Sequence, residues 1–308
     1  MSGLPGPSGV LVVDKAAGMT SFDVVAVVRR QLHVRRIGHA GTLDPAATGV
    51  LPILIGEATK LMPYLVDQDK EYLATLRFGI TTDTGDLSGR VLSTSPAPPP
   101  GREALAAACQ RFVGRIQQVP PMYSAIHHEG RRLYELAREG IEVDRAPREV
   151  VIAAITVVET LGADAVLRVT CGKGTYLRAL ADDLGRLLGS GAAVARLARL
   201  RVGPFALADA VSWDEVAGGG EALWSRVRPA ESALAGWPTV TLEAKAVTGF
   251  RNGQMVALAS SPAEGGHVRV HDRRGTFLGV GELGLGGRTV RPVRILHADR
   301  PGTPVLPA

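Results

Sequence analysis

Apolar residues change their spacing along this 308-residue chain, and that change limits the folds open to it. Thr20-Ser21-Phe22-Asp23 has the form of a helix capping box, and Val24, Val25, Val28 and Leu32 follow at helical spacing. Tyr72, Ala74, Leu76 and Phe78 instead alternate over residues 71–78, the pattern of a strand. Residues 9–13, 150–158 and 165–171 are also strand-like. Residues 102–112 and 175–188 read as helices, the second with Leu177, Leu180, Leu184 and Leu187 in its stripe. The composition changes near Gly218–Gly220. From Trp237 to Leu296 only short apolar runs remain, broken by turn signals such as 271–275 and 284–287. That is the pattern of a small all-β module. The expected organisation is a tail over 1–8, one unit over 9–235, a second over 236–298 and a tail over 299–308. The Pro-rich stretch 93–101 reads as a surface connection inside the first unit.

A composition of 45% hydrophobic and 21% charged residues belongs to an ordinary globular chain. Lys plus Arg is 35 and Asp plus Glu is 30, a formal net charge of +5, and 30 of the cations are Arg. Arg suits bidentate phosphate contact, so this balance permits an anionic partner without demanding one. From residue 240 onward nine basic and five acidic residues leave a net +4. Cys109 and Cys171 lie far apart with no CxxC, as in a reducing cytosol, and argue against a zinc module or disulfide scaffold. The first nine residues lack the basic and apolar regions of a signal peptide, and the longest apolar runs are too short to cross a bilayer. A cytoplasmic protein without membrane association is expected.

Four short motifs carry no function on inspection. Asp83-Thr84-Gly85 matches an aspartic-protease signature, but that chemistry needs two carboxylates, and the surrounding Gly85, Asp86, Ser88 and Gly89 read as a turn. Residues 279–284 fit a dinucleotide fingerprint by letter, yet Gly286, Gly287 and Pro292 replace the required helix, and a turn of the β module is expected there. Residues 171–175 lack the upstream Gly and the Ser or Thr after Lys that a phosphate loop needs. His267 and His271 lie on a strand-like run with no third ligand, so no metal site is predicted.

Residues 38–51 are different. Three glycines, a proline and two threonines specify a loop-rich stretch, extending to about Pro52, with the single carboxylate of Asp44 in its middle. Taken alone, Asp followed by Pro commonly starts a turn. With its neighbours, however, the segment resembles the catalytic motif of the TruB family of tRNA pseudouridine synthases. Similar blocks follow in order: Val13-Asp14-Lys15 with Gly18-Met19-Thr20-Ser21, residues 56–60, Lys70-Glu71-Tyr72, residues 118–125 and 132–138, residues 171–178, residues 182–185 and residues 201–205. They span about 9–210, and the tail from Trp237 resembles a PUA-like RNA-binding module.

The resemblance implies an α+β fold: a mixed-sheet catalytic domain followed by a small β-barrel. It implies isomerisation of a uridine in the T-loop of tRNA, pseudouridine-55 synthesis, by a monomer acting on the T-arm. It makes Asp44 the nucleophile, Arg178 its charge partner and Tyr72 the aromatic against the base. Breaking the C1′–N1 bond, turning the uracil and joining C1′ to C5 involves no net gain or loss of electrons and exchanges no group with another molecule, so no metal or cofactor is expected. An ionised carboxylate is required, acting covalently on the sugar or base or stabilising charge. The uridine must first leave its stack. His39 is then placed to stack on or displace loop bases, and Lys15, Lys60, Arg29, Arg30, Arg35 and Arg36 are candidate phosphate contacts. Two departures stand out: His127 replaces the family's usual Lys, and Gly172 a common Ser.

Overall fold

The computed structural model describes residues 8–260 and 265–297. The expected tails at 1–8 and 299–308 lie outside the described residues, Ser8 excepted, as does residue 298. The first unit is organised by a nine-stranded sheet. Its strands are β1 (Gly9–Lys15), β2 (Ile37–His39), β3 (Thr48–Ile55), β4 (Lys70–Phe78), β5 (Gly114–Gln118), β6 (Arg148–Leu161), β7 (Asp164–Cys171), β8 (Ala192–Val202) and β9 (Phe205–Ala206). The spatial order is β1-β3-β8-β4-β7-β6-β5, with β2 on β3 and β9 on β8. β3 and β8 run parallel and the other pairs antiparallel, so the sheet is mixed, as expected.

Both faces of the β1–β3 side are covered, which explains two apolar runs that do not alternate with polar residues. Leu11, Val13, Leu51, Ile53 and Ile55 face one core, with helices α1 (Ser21–Gln31), α2 (Arg102–Gln110) and α3 (Leu177–Leu187). Val10, Val12, Val50 and Leu54 face a second core, which also takes in Leu234, Val280 and Leu296. α1 starts as its sequence requires. The Asp23 N–H donates to Thr20 Oγ1 and the Thr20 N–H donates to the Asp23 carboxylate.

The second unit is a curled five-stranded sheet of β10 (Thr239–Leu242), β11 (Val256–Ala257), β12 (Gly266–Asp272), β13 (Phe277–Leu283) and β14 (Thr289–Ile295), ordered β10-β12-β13-β14-β11. It has its own core around Phe250, Val268, Val270 and Leu278.

Three expectations need correction. The stretch read as loop from 38 to 52 is a loop only over residues 40–47, because its ends pair as β2 and β3. Leu187 is 38% exposed; the buried stripe of α3 runs instead through Leu177, Arg178, Leu180, Ala181, Leu184 and Gly185. Residues 279–283 lie within β13 rather than in a turn. A Cβ on Gly279 would lie 2.0 Å from the Arg294 carbonyl oxygen of β14, so this glycine serves close strand approach.

Candidate active site

The Asp44 loop is fastened at every second or third residue. The Ala40 N–H donates to the Pro52 carbonyl (2.9 Å). At Leu43, the N–H donates to Ser21 Oγ (2.9 Å), and the buried Ser21 hydroxyl returns a bond to the Leu43 carbonyl (3.3 Å). The Pro45 carbonyl accepts from the Gly18 N–H (2.9 Å) and from Lys15 Nζ (3.1 Å). Under the loop runs a cross-strand row, Gly49 of β3, Arg199 of β8 and Tyr72 of β4, in register with one another. Arg199 is 1% exposed and spends its guanidinium on the Val50 carbonyl of β3 (2.8 Å) and the loop carbonyls of Gly41 (3.0 Å) and Thr42 (3.4 Å). Only glycine fits at 49, where φ is +99° and a Cβ would lie 2.2 Å from the Arg199 carbonyl oxygen.

Over this frame the Asp44 carboxylate meets Arg178 through two parallel bonds, Nε to Oδ2 at 2.9 Å and Nη2 to Oδ1 at 3.1 Å. A fork of this kind fixes direction as well as charge. Arg178 is buried on the first turn of α3, while the Asp44 side chain is 38% exposed. The carboxylate thus keeps an open side toward a shallow cavity lined by Asp86, Leu87, Ser88 and Leu197. Arg178 also donates to the Thr84 carbonyl (2.9 Å) and the Tyr123 carbonyl (2.8 Å). The Asp83-Thr84-Gly85 turn therefore has a part after all: it holds the arginine. A Cβ at Gly85, whose φ is +76°, would press on Arg178 at 3.1 Å. Behind the arginine, buried Gln118 exchanges bonds with the Tyr176 backbone at the start of α3, at 3.0 and 3.3 Å.

Tyr72 is buried on β4, and burial pushes its hydroxyl pKa up, against the opposing pull of the Arg199 charge. His39 ends β2 and is half-buried; burial, then the Arg199 charge, lowers its pKa from the ordinary 6.5. Its ring meets the exposed Phe22 edge-on at 5.4 Å.

The cations divide. Arg29, Arg30, Arg35 and Arg36 are exposed around the end of α1, with Arg36 paired to Glu57 at 2.8 Å. Lys60 is one-quarter exposed and donates to Glu57 and to the Ile295 carbonyl (2.7 Å). Lys15 is fully buried and donates to the carbonyls of Ala16 (2.9 Å), Met19 (2.9 Å) and Pro45 (3.1 Å). An ammonium so enclosed braces the loop from within and is turned away from any phosphate, which corrects that expectation.

Sequence reading missed Arg199, Ser21 and Gln118. Ser21 stands in the first motif block and Gln118 in the central one, but neither had a signal beyond its place there. Arg199 had none, since Arg196 and Arg201 beside it are exposed and half-exposed on the same strand.

An aspartate clamped by a buried arginine, on a mixed sheet followed by a curled β module, is the arrangement that the resemblance to pseudouridine synthases implies. Consecutive family models cover nearly the whole chain: TruB family pseudouridylate synthase, N-terminal domain, over 29–177; tRNA pseudouridylate synthase B, C-terminal domain, over 178–235; and pseudouridine synthase II TruB, C-terminal, over 238–296. The tRNA pseudouridine synthase B of Pseudomonas putida (strain F1) is 43% identical over 297 residues, 95% of this chain and 96% of its own. That of Pseudomonas aeruginosa (strain UCBPP-PA14) is 44% identical over 296 residues, 94% of this chain and 96% of its own. Among solved structures, a Cbf5-Nop10-Gar1 complex contains a chain of TM-score 0.72 and 25% identity, covering 95% of this chain and 89% of that one. The chain belongs to the TruB family of pseudouridylate synthases. No helix among the described residues is long and apolar enough to cross a membrane.

Proposed function

We propose that this enzyme isomerises uridine 55 in the T-loop of tRNA, with Asp44 as the nucleophile. The relatives' shared name, tRNA pseudouridine synthase B, supports tRNA as the substrate. The observation that carries the mechanism is the two-pronged Arg178–Asp44 bond beside an open carboxylate face. A guanidinium in that position pairs with the carboxylate through two bonds and aims it.

The target uridine leaves the loop stack and enters beside Asp44, its base against Tyr72, while His39 takes the space among the loop bases. The lowered pKa of His39 favours the uncharged ring for that stacking. Asp44 assists cleavage of C1′–N1, the uracil turns, C5 bonds to C1′, and the C5 proton leaves as N1 gains one. Arg29, Arg30, Arg35, Arg36 and Lys60 hold phosphates and position the RNA. Residues 236–298 form a second RNA-contacting module, a reading supported by their separate core and net +4 from residue 240. The enzyme works as a cytoplasmic monomer without a cofactor.

The test is Asp44→Asn, which keeps the side-chain shape and an acceptor for Arg178 but removes the charge. Tritium release from C5-labelled uridine in tRNA should fall at least about 10^4-fold, with tRNA affinity changed less than threefold. Activity near that of the unaltered enzyme would remove Asp44 from the chemistry.

A further inference from the structure

Phe22 is a large apolar ring left 58% exposed on the first turn of α1. Isolated exposed apolar residues are common and need no explanation. This one is not isolated. Its helix neighbour Ser21 fastens Leu43, so the ring stands one residue away from a clamp on the Asp44 loop. It meets His39 edge-on, at 5.4 Å and 86°, and the Arg132 guanidinium lies 6.0 Å from its centroid. Arg132 is equally far from the Tyr134 ring, and Arg138 lies 5.4 Å from Tyr134. His39, Phe22, Arg132, Tyr134 and Arg138 thus form a continuous strip of rings and guanidinium planes leading outward from the loop. Among the described residues, neither Arg132 nor Arg138 has a carboxylate within 4 Å in a salt bridge.

Glu135 lies near Arg132 and accepts from its backbone N–H at 3.0 Å, but stacking faces and guanidiniums held in no salt bridge suit the unpaired bases and phosphates of a single-stranded segment. With 58% of Phe22 exposed, part of its ring stays open to a flat partner beside the His39 and Arg132 contacts. We infer that Phe22 is a stacking platform for an unpaired RNA base adjoining the uridine delivered to Asp44, and that Arg132 covers the same base from the outer side. The inference rests on the proposed entry of an RNA loop at His39. It adds a contact that secures a neighbouring nucleotide, and hence bears on binding rather than on the bond-making steps.

Stacking and plain apolar packing predict different variants. In the full chain, Phe22→Ala and Phe22→Leu should each raise KM for a T-arm hairpin about tenfold, with kcat within twofold of the original. Phe22→Tyr, which keeps the ring, should stay within twofold on both. The exposure of the ring lets all three fold, which thermal unfolding followed by circular dichroism verifies. In parallel, a single-stranded RNA carrying 2-aminopurine beside the uridine should lose fluorescence on the unaltered protein and on Phe22→Tyr, but not on Phe22→Ala. Leucine performing as well as phenylalanine, or equal quenching by Phe22→Ala, overturns the inference. An unaltered enzyme inactive on the T-arm hairpin counts against the T-loop substrate instead, while the fluorescence arm still decides Phe22.

Discussion

Lys15 shows how one residue can carry a charge in the interior and still be useful. Its ammonium has three hydrogens and three carbonyl partners, so every donor is met. Burial pulls its pKa down to about 8, against the attraction of Asp44 and with further lowering by Arg199. The ordinary value is 10.5, so between about pH 8 and 10.5 the unfolded chain holds this proton while the folded chain releases it. Because the unfolded state then binds more protons, this group's contribution to stability rises with pH across that window. Activity should move the other way, since a neutral amine offers two hydrogens to three carbonyls and the Pro45 anchor weakens beside Asp44. Lys15→Met removes the titration, leaves the Pro45 carbonyl to the Gly18 N–H alone and takes the ammonium from the Ala16 and Met19 carbonyls, each costing about 1–3 kcal/mol if no water replaces the donor. Its kcat should be at least tenfold lower and should lose the alkaline fall that the unaltered enzyme shows above about pH 8. A stopped-assay pH profile of both proteins checks this; an identical alkaline limb in the methionine variant assigns the fall to another group.

At the scale of elements, the Asp44 loop is a short link between two strands whose shape is imposed by a third. Arg199 of β8 gathers the Gly41, Thr42 and Val50 carbonyls, and Gly49 lets β3 pass close enough to β8 for this to happen. Gly49→Ala should therefore destabilise the protein by more than about 2 kcal/mol, combining backbone strain with a backbone clash. Urea unfolding would measure it, and a change below about 0.5 kcal/mol would show that β3 can shift. The sequence makes some of these elements plain and hides others for a physical reason. Alternation marked β4 because its side chains at 72, 74, 76 and 78 all face one core. In β8 the register slips between Val194 and Arg196 and again between Arg199 and Arg201, so period two fails where Arg199 turns inward. Asp44, Tyr72 and Arg178 were singled out through motif blocks, and the structure joins Asp44 to Arg178. The carbonyls that hold Arg178 and Lys15 belong to backbone, whose partners no side-chain pattern records.

Across the whole molecule, the two units are joined by more than the chain between them. One core holds Val280 and Leu296 together with Val10, Val12 and Leu54. Trp237 stacks on His267 with Tyr64 edge-on to both. At the centre of the joint is Glu57, 8% exposed, which pairs with Lys60 and Arg36 and accepts from the His297 N–H at 3.2 Å. Lys60 in turn reaches the Ile295 carbonyl at the end of β14. Burial works against the Glu57 charge, but the Lys60 bond, the His297 N–H and the neighbouring cations outweigh it and hold the pKa below its ordinary 4.5. A depressed carboxylate contributes stability that is complete above the unfolded value and lost as pH falls through the folded one. The joint should therefore loosen only below about pH 4.5, and neutralising Glu57 should loosen it at every pH. In Glu57→Gln the amide hydrogens of β14 should exchange at least tenfold faster at pH 7, while those of β4 and β7 keep their rates, because each unit retains its own core. Acidification of the unaltered protein should reproduce the same β14 pattern once exchange rates are corrected for pH. Equal acceleration in β4 would make Glu57 a support of the whole fold, and unchanged β14 rates would leave the joint to the apolar contacts and the Tyr64–Trp237–His267 rings.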